Sequence, residues 1–173
     1  MSEQEKIGEL IRSTLKEQGR SVRWLAQQIG CTRVNVHDIF NRSYIEVVRL
    51  LTISLALKTN FFLYFSHSMT DKAGYASPKM CHISLKDKVH VGTLIKQKLN
   101  EEGYDVEWLL KRTDCGRNNL YDIVNSRTSV DTERLLSICN ALKTNFFEYF
   151  IRVFESTITG EDKICKCKQC AGF

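Results

Sequence analysis

An internal repeat constrains this chain more than any other feature. Trp24–Asn41, WLAQQIGCTRVNVHDIFN, returns in altered form as Trp108–Asn125, WLLKRTDCGRNNLYDIVN, with eight identities in register 84 residues apart. The register extends back through Gly8/Gly92, Leu10/Leu94, Ile11/Ile95, Leu15/Leu99 and Gly19/Gly103. One extra residue then shifts it to 85, where Leu57-Lys-Thr-Asn-Phe-Phe matches Leu142-Lys-Thr-Asn-Phe-Phe. Stacked solenoids need at least about three units, so two copies this long read as two small domains.

Apolar spacing within each copy is helical throughout. Ile7, Leu10, Ile11 and Leu15 form one stripe that Gly19 ends. Ser21 can cap a second helix with Val22, Leu25, Ala26 and Ile29 inward, and Thr32 a third with Val36, Ile39 and Phe40 inward. Val47, Leu50, Leu51, Ser54 and Leu55 mark a fourth helix, and Asn60 can cap a fifth, FFLYF. The second copy repeats this plan, and no segment alternates as a strand would. The expected fold is all-α: two tandem five-helix units at 1–66 and 87–154, a linker at 67–86 holding the only proline, and a flexible Cys-rich tail at 155–173.

A domain of about 60 residues buries only about 60% of its unfolded surface, so each copy gains by docking on the other. The aromatic fifth helices, with Phe61, Phe62 and Phe65 in one copy and Phe146, Phe147 and Phe150 in the other, are the expected packing surface.

At Ser21–Arg42 the sequence resembles the lambda-repressor-like, Cro-type helix-turn-helix family, over roughly residues 6–66 and 90–151. The features that carry the resemblance are Leu25-Ala26, Ile29-Gly30, the turn Cys31-Thr32-Arg33, the pair Val36/Ile39, and Asn41. It implies double-stranded DNA as partner, with the third helix of each copy in a major groove. The base-reading positions would be Arg33, Val34, Asn35 and His37 in the first copy and Arg117, Asn118, Asn119 and Tyr121 in the second, with Asp38 and Asp122 beside them, accepting from cytosine or bonding to Arg33 and Arg117. Arg12, Asn41, Arg42, Lys96, Lys98, Asn125 and Arg127 would contact phosphate. The resemblance also implies an intramolecular pseudo-dimer or a homodimer, since relatives commonly dimerise through the fifth helix.

The sequence departs from the family pattern in places. Val22 and Val106 stand where relatives often carry a polar phosphate contact. Asp114 replaces Gly30, a residue that can still adopt a left-handed turn at some cost, and Gly116 replaces Thr32 as a weaker cap. Trp24 and Trp108 occupy a position that is often polar, and are expected to pack rather than to stack on bases.

Composition narrows the class without choosing a function. At 43% hydrophobic and 26% charged the chain falls in the ordinary globular range, which excludes disordered and fibrous classes. The net charge of +5 permits a polyanionic partner without requiring one. No apolar run of about 18 residues suggests a membrane span, and MSEQEKIGEL has no signal-peptide pattern, so the expected compartment is the cytoplasm.

Seven cysteines without an export signal read as reduced thiols. Cys31, Cys115 and Cys139 fall at core positions. Cys165, Cys167 and Cys170 are weak metal candidates, because a structural zinc site wants four ligands. There is no phosphate loop and no nucleophile–base pairing, so neither an enzyme nor a cofactor is expected. The sequence points to a two-headed, sequence-specific regulator of transcription that works by occupying an operator, as a repressor does, with the sign of regulation left open. The alternative is a protein-interaction adaptor on a scaffold that has lost DNA affinity.

Overall fold

The structure is a computed structural model that describes residues 6–70, 74–78 and 91–160. Among these residues it is all helical: α1 (Ile7–Glu17), α2 (Val22–Gln28), α3 (Arg33–Phe40), α4 (Val47–Leu57) and α5 (Phe62–Thr70) in the first half. The second half holds α6 (Val91–Glu102), α7 (Val106–Leu110), α8 (Arg117–Val124), α9 (Thr132–Leu142) and α10 (Phe147–Thr159). The only β pairing among the described residues consists of two isolated bridges. Helix α3 packs on α1 and α2, and α8 on α6 and α7. The buried side chains of both halves form one continuous core.

Local chemistry fixes the helix ends. Ser21 accepts a hydrogen bond from the Trp24 amide, and Thr32 accepts one from the Asn35 amide, so α2 and α3 each begin with a satisfied donor. Gly30, at φ +64°, makes the turn between them. Gly8 has a different task. Its amide donates to the Arg42 carbonyl, and a Cβ there would lie 2.3 Å from the Ile39 carbonyl oxygen. At Gly92 the corresponding distance to the Ile123 oxygen is 2.0 Å. These two glycines let the first helix of each half sit directly on the end of the third.

The second turn departs from the sequence expectation. Asp114 does not adopt a left-handed conformation; the described non-glycine residues with positive φ are Lys58, Ser126 and Lys143. Instead α7 stops at Leu110 and the change of direction is spread over the residues that follow, with the buried Thr113 hydroxyl donating to the Leu109 carbonyl. Gly116 supplies no side-chain cap to α8.

Two boundaries move as well. Helix α5 continues to Thr70, inside the expected linker, and residues 74–78 dock on the α9–α10 turn: the Ala76 amide donates to Lys143 and its carbonyl accepts from Asn145, each at 2.9 Å. Helix α10 runs past residue 154 because the apolar face continues through Val153 and Phe154, and the Thr157 and Thr159 hydroxyls bond back to carbonyls one turn earlier. The rest of the linker and the Cys165, Cys167 and Cys170 tail lie outside the described residues.

Contacts between the halves are reciprocal. The Val47 amide donates to the Val130 carbonyl and the Thr132 amide donates to the Ile45 carbonyl, both at 2.9 Å. In the repeat register Ile45 corresponds to Val130 and Val47 to Thr132, so each bond is the image of the other. The same holds for the stacks between α5 and α10. Phe62 lies on Phe150 and Phe65 on Phe147, with ring centroids 5.0 Å apart in each pair. An interface in which residue i meets j and j meets i has the form of a two-fold contact.

Two polar bonds break the symmetry. Thr132 Oγ1 accepts from the Ile45 amide, and Asn145 Nδ2 donates to Ser66 Oγ at 2.8 Å. Their images, Val47 and the Asn60/Ile151 pair, cannot form these bonds.

Replacing Gly92 by Ala forces the added methyl onto carbonyl oxygen, and should destabilise the protein by about 1–3 kcal/mol in urea unfolding. Gly103→Ala, where a Cβ would meet nothing within 4 Å but φ is +70°, tests backbone strain separately from crowding. The buried Cys139 offers a pH test, since burial pushes its thiol from about 9 up to about 12. Above pH 9 the unfolded chain binds fewer protons than the folded one, so stability falls as pH rises toward 12, by about 1.4 kcal/mol per unit. Cys139→Ala should remove that contribution, and the wild-type-minus-variant difference measures it.

Candidate nucleic-acid interface

In the first half, α3 turns Val36, Ile39 and Phe40 inward and leaves Arg33, Val34, Asn35, His37 and Asp38 exposed. Val34 is 68% exposed, a large apolar side chain held in water next to an arginine and an asparagine. The His37 ring meets the edge of Phe40. Asn41 and Arg42 continue the exposed surface beyond the helix end, Arg12 is exposed on α1, and Arg23 is exposed on α2. Arg20 lies over the Trp24 ring, 4.5 Å from its centroid. Among the described residues no carboxylate pairs with Arg23, Arg33 or Arg42. This surface can offer arginine and asparagine donors to base edges, a methyl-contacting valine, and guanidinium groups to phosphate.

The corresponding surface of the second half is chemically different. The Glu107 carboxylate on α7 accepts from Arg117 Nη2 at 2.9 Å and from the Tyr121 hydroxyl at 3.0 Å. That hydrogen bond raises the Tyr121 pKa above its ordinary value of 10. Arg117 therefore bonds to Glu107 rather than to Asp122, which lies 3.9 Å from Arg127 instead. Asn119 is half-buried, and its Oδ1 is shielded from solvent with no hydrogen-bond partner among the described residues. Asn118 stays exposed. Of the four positions expected to read bases here, two share one carboxylate and a third has its acceptor turned away.

The flanking groups differ too. Lys96 is exposed, whereas Lys98 is held by Glu102 at 2.5 Å. Asn125 donates to the Tyr121 carbonyl. Trp108 stacks on Tyr104 with centroids 3.8 Å apart, and the Arg112 guanidinium lies 4.0 Å from its ring centre. Both tryptophans are half-buried against the core, each with an arginine on its ring.

Residues 95–155 match the family model of the Cro/C1-type HTH DNA-binding domain. The match falls in the second half, from within α6 to within α10, and the internal repeat carries the same helix order into the first. No curated protein matches the chain, and no solved structure does.

Sequence reasoning missed Glu107, Arg23, Arg20, Tyr104 and Arg112. A signal for each was present. Glu107 and Arg23 occupy the same repeat position with opposite charge, and Arg20, Tyr104 and Arg112 each lie four residues from their tryptophans. No cluster of metal-ligating side chains occurs among the described residues. Cys115 and Cys139 are buried thiols with pKa values raised by burial, an environment that suppresses the thiolate a metal needs.

Helices α5 and α10 hold the two surfaces in one body, with Phe62 and Phe150 both fully buried. Truncating Phe150 to Ala should lower stability by about 3–5 kcal/mol. If urea unfolding shifts by less than about 1 kcal/mol, the stacked pair does not hold the halves together.

Proposed function

We propose that the chain binds double-stranded DNA sequence-specifically through its helix-turn-helix surfaces and acts as a transcriptional regulator, with the halves docked as an intramolecular pseudo-dimer. The observation that carries this reading is the outer face of α3. There Arg33, Val34, Asn35 and His37 project from a capped helix, flanked by Arg23 and Arg42, with which no carboxylate pairs among the described residues. Such a surface supplies a bidentate guanine contact, a bidentate adenine contact and an apolar contact for the thymine methyl, each good bidentate pair discriminating by about 1–3 kcal/mol. The family match at residues 95–155 supports the same chemistry for this helix arrangement. Reciprocal bonds at Val47/Val130 and Thr132/Ile45 support the pseudo-dimer.

A second reading, a protein-interaction adaptor, draws its support from the self-satisfied surface of α7 and α8. Salt separates the two readings. A protein that neutralises several phosphates loses affinity steeply as salt rises.

Selection from a random duplex library should return a motif. Arg33→Ala should weaken binding to it by about 10–100-fold and relax the preference at one base pair. Recovery of no motif, or an unchanged one with the Arg33 variant, would argue for the adaptor.

A further inference from the structure

The two candidate reading surfaces differ most at one repeat position. Trp24 and Trp108 are preceded by Arg23 and Glu107 respectively, within otherwise matching frameworks. Over residues 21–43 three arginines face one aspartate, a net +2; over 105–127 four basic residues face four acidic ones, a net of zero. Glu107 is the acid that reaches the reading helix, where it engages both Arg117 and Tyr121.

We infer that Glu107 is a specificity-determining residue that closes the second reading surface, so that the first half carries the DNA contact. This rests on the DNA-binding reading above. The ion pair alone would not suffice, because an exposed pair is worth less than a bidentate contact with guanine. Arg117 has 64% of its side chain exposed and could swing toward a base. Doing so strips the carboxylate of its counter-charge, while the Tyr121 hydroxyl still holds its other oxygen in place, and leaves an uncompensated anion facing the polyanionic duplex. Arg23 at the same place in the first half adds attraction instead. The carboxylate works by remaining where it is, since no rearrangement of Arg117 removes its charge.

The experiment uses the full chain and duplexes that carry the motif recovered with wild-type protein, flanked by random sequence. Wild type, Glu107→Gln and Glu107→Arg are compared by hydroxyl-radical footprinting and by affinity across a salt series. The glutamine variant keeps the shape of the side chain, and the arginine variant copies Arg23, so a fold defect in one leaves the other informative. Wild type should protect one stretch. Both variants should add a second protected stretch, gain roughly tenfold in affinity, and steepen the log–log salt slope by about one to two.

Two protected stretches with wild type, or loss of one in Glu107→Gln, would overturn the inference and make Glu107 an orienting group for Arg117. Unchanged footprints and salt slopes in both variants would also overturn it. An Arg33→Ala control keeps the two levels apart. If wild-type binding survives that substitution undiminished, the DNA-binding assignment of the first half fails, whatever the Glu107 variants do.

Discussion

The doubled aromatic stack between α5 and α10 is the contact on which the rest of the molecule depends. Five short helices enclose too little apolar volume to be comfortably stable alone, and the fifth helix of each half carries more ring surface than its own half can cover. Stacking Phe62 on Phe150 and Phe65 on Phe147 resolves both problems at once. Because the contact is reciprocal, it also fixes orientation. The pairing of residues 45–47 with 130–132 obeys the same reciprocal relation. The third helices sit on a frame whose rigidity comes from a surface remote from them.

The repeat is conservative where the backbone is pressed and free where it is not. Gly8 and Gly92 persist because carbonyl oxygens occupy the space a side chain would need. Lys58 and Lys143 both end a helix in the left-handed conformation, an arrangement that costs energy for a non-glycine residue and is nevertheless present in both halves. On the outer faces of α2 and α7 no such pressure exists, and there arginine and glutamate alternate at the same position. The divergence therefore lies in chemistry laid over a common backbone.

Helix order, the caps at Ser21 and Thr32, and the inward residues of α3 and α8 were legible in the sequence, because periodicity and capping are local. The end of α7 was not, since Asp114 is able to copy the left-handed turn of Gly30, while the chain instead shortens the helix and buries Thr113. Residues 74–78 read as a linker because they lack periodicity, yet backbone hydrogen bonds to Lys143 and Asn145 need none. Arg33 and its neighbours were legible as outward positions. The capture of Arg117 and Tyr121 by Glu107 was not, because it depends on the distance between two helices rather than on spacing along one.

The two asymmetric bonds, from the Ile45 amide to Thr132 and from Asn145 to Ser66, have a consequence for how such a molecule can change. In a homodimer every substitution is written twice, and one that suits one side of the axis must be tolerated on the other. Fusing the halves into one chain lifts that restriction. A threonine can appear opposite an unchanged isoleucine amide, and one surface can drift in charge while its twin keeps its original chemistry. The threonine bond also distinguishes a first half from a second half at the seam, since two first halves meeting in solution would present Val47 in place of Thr132 and lack it.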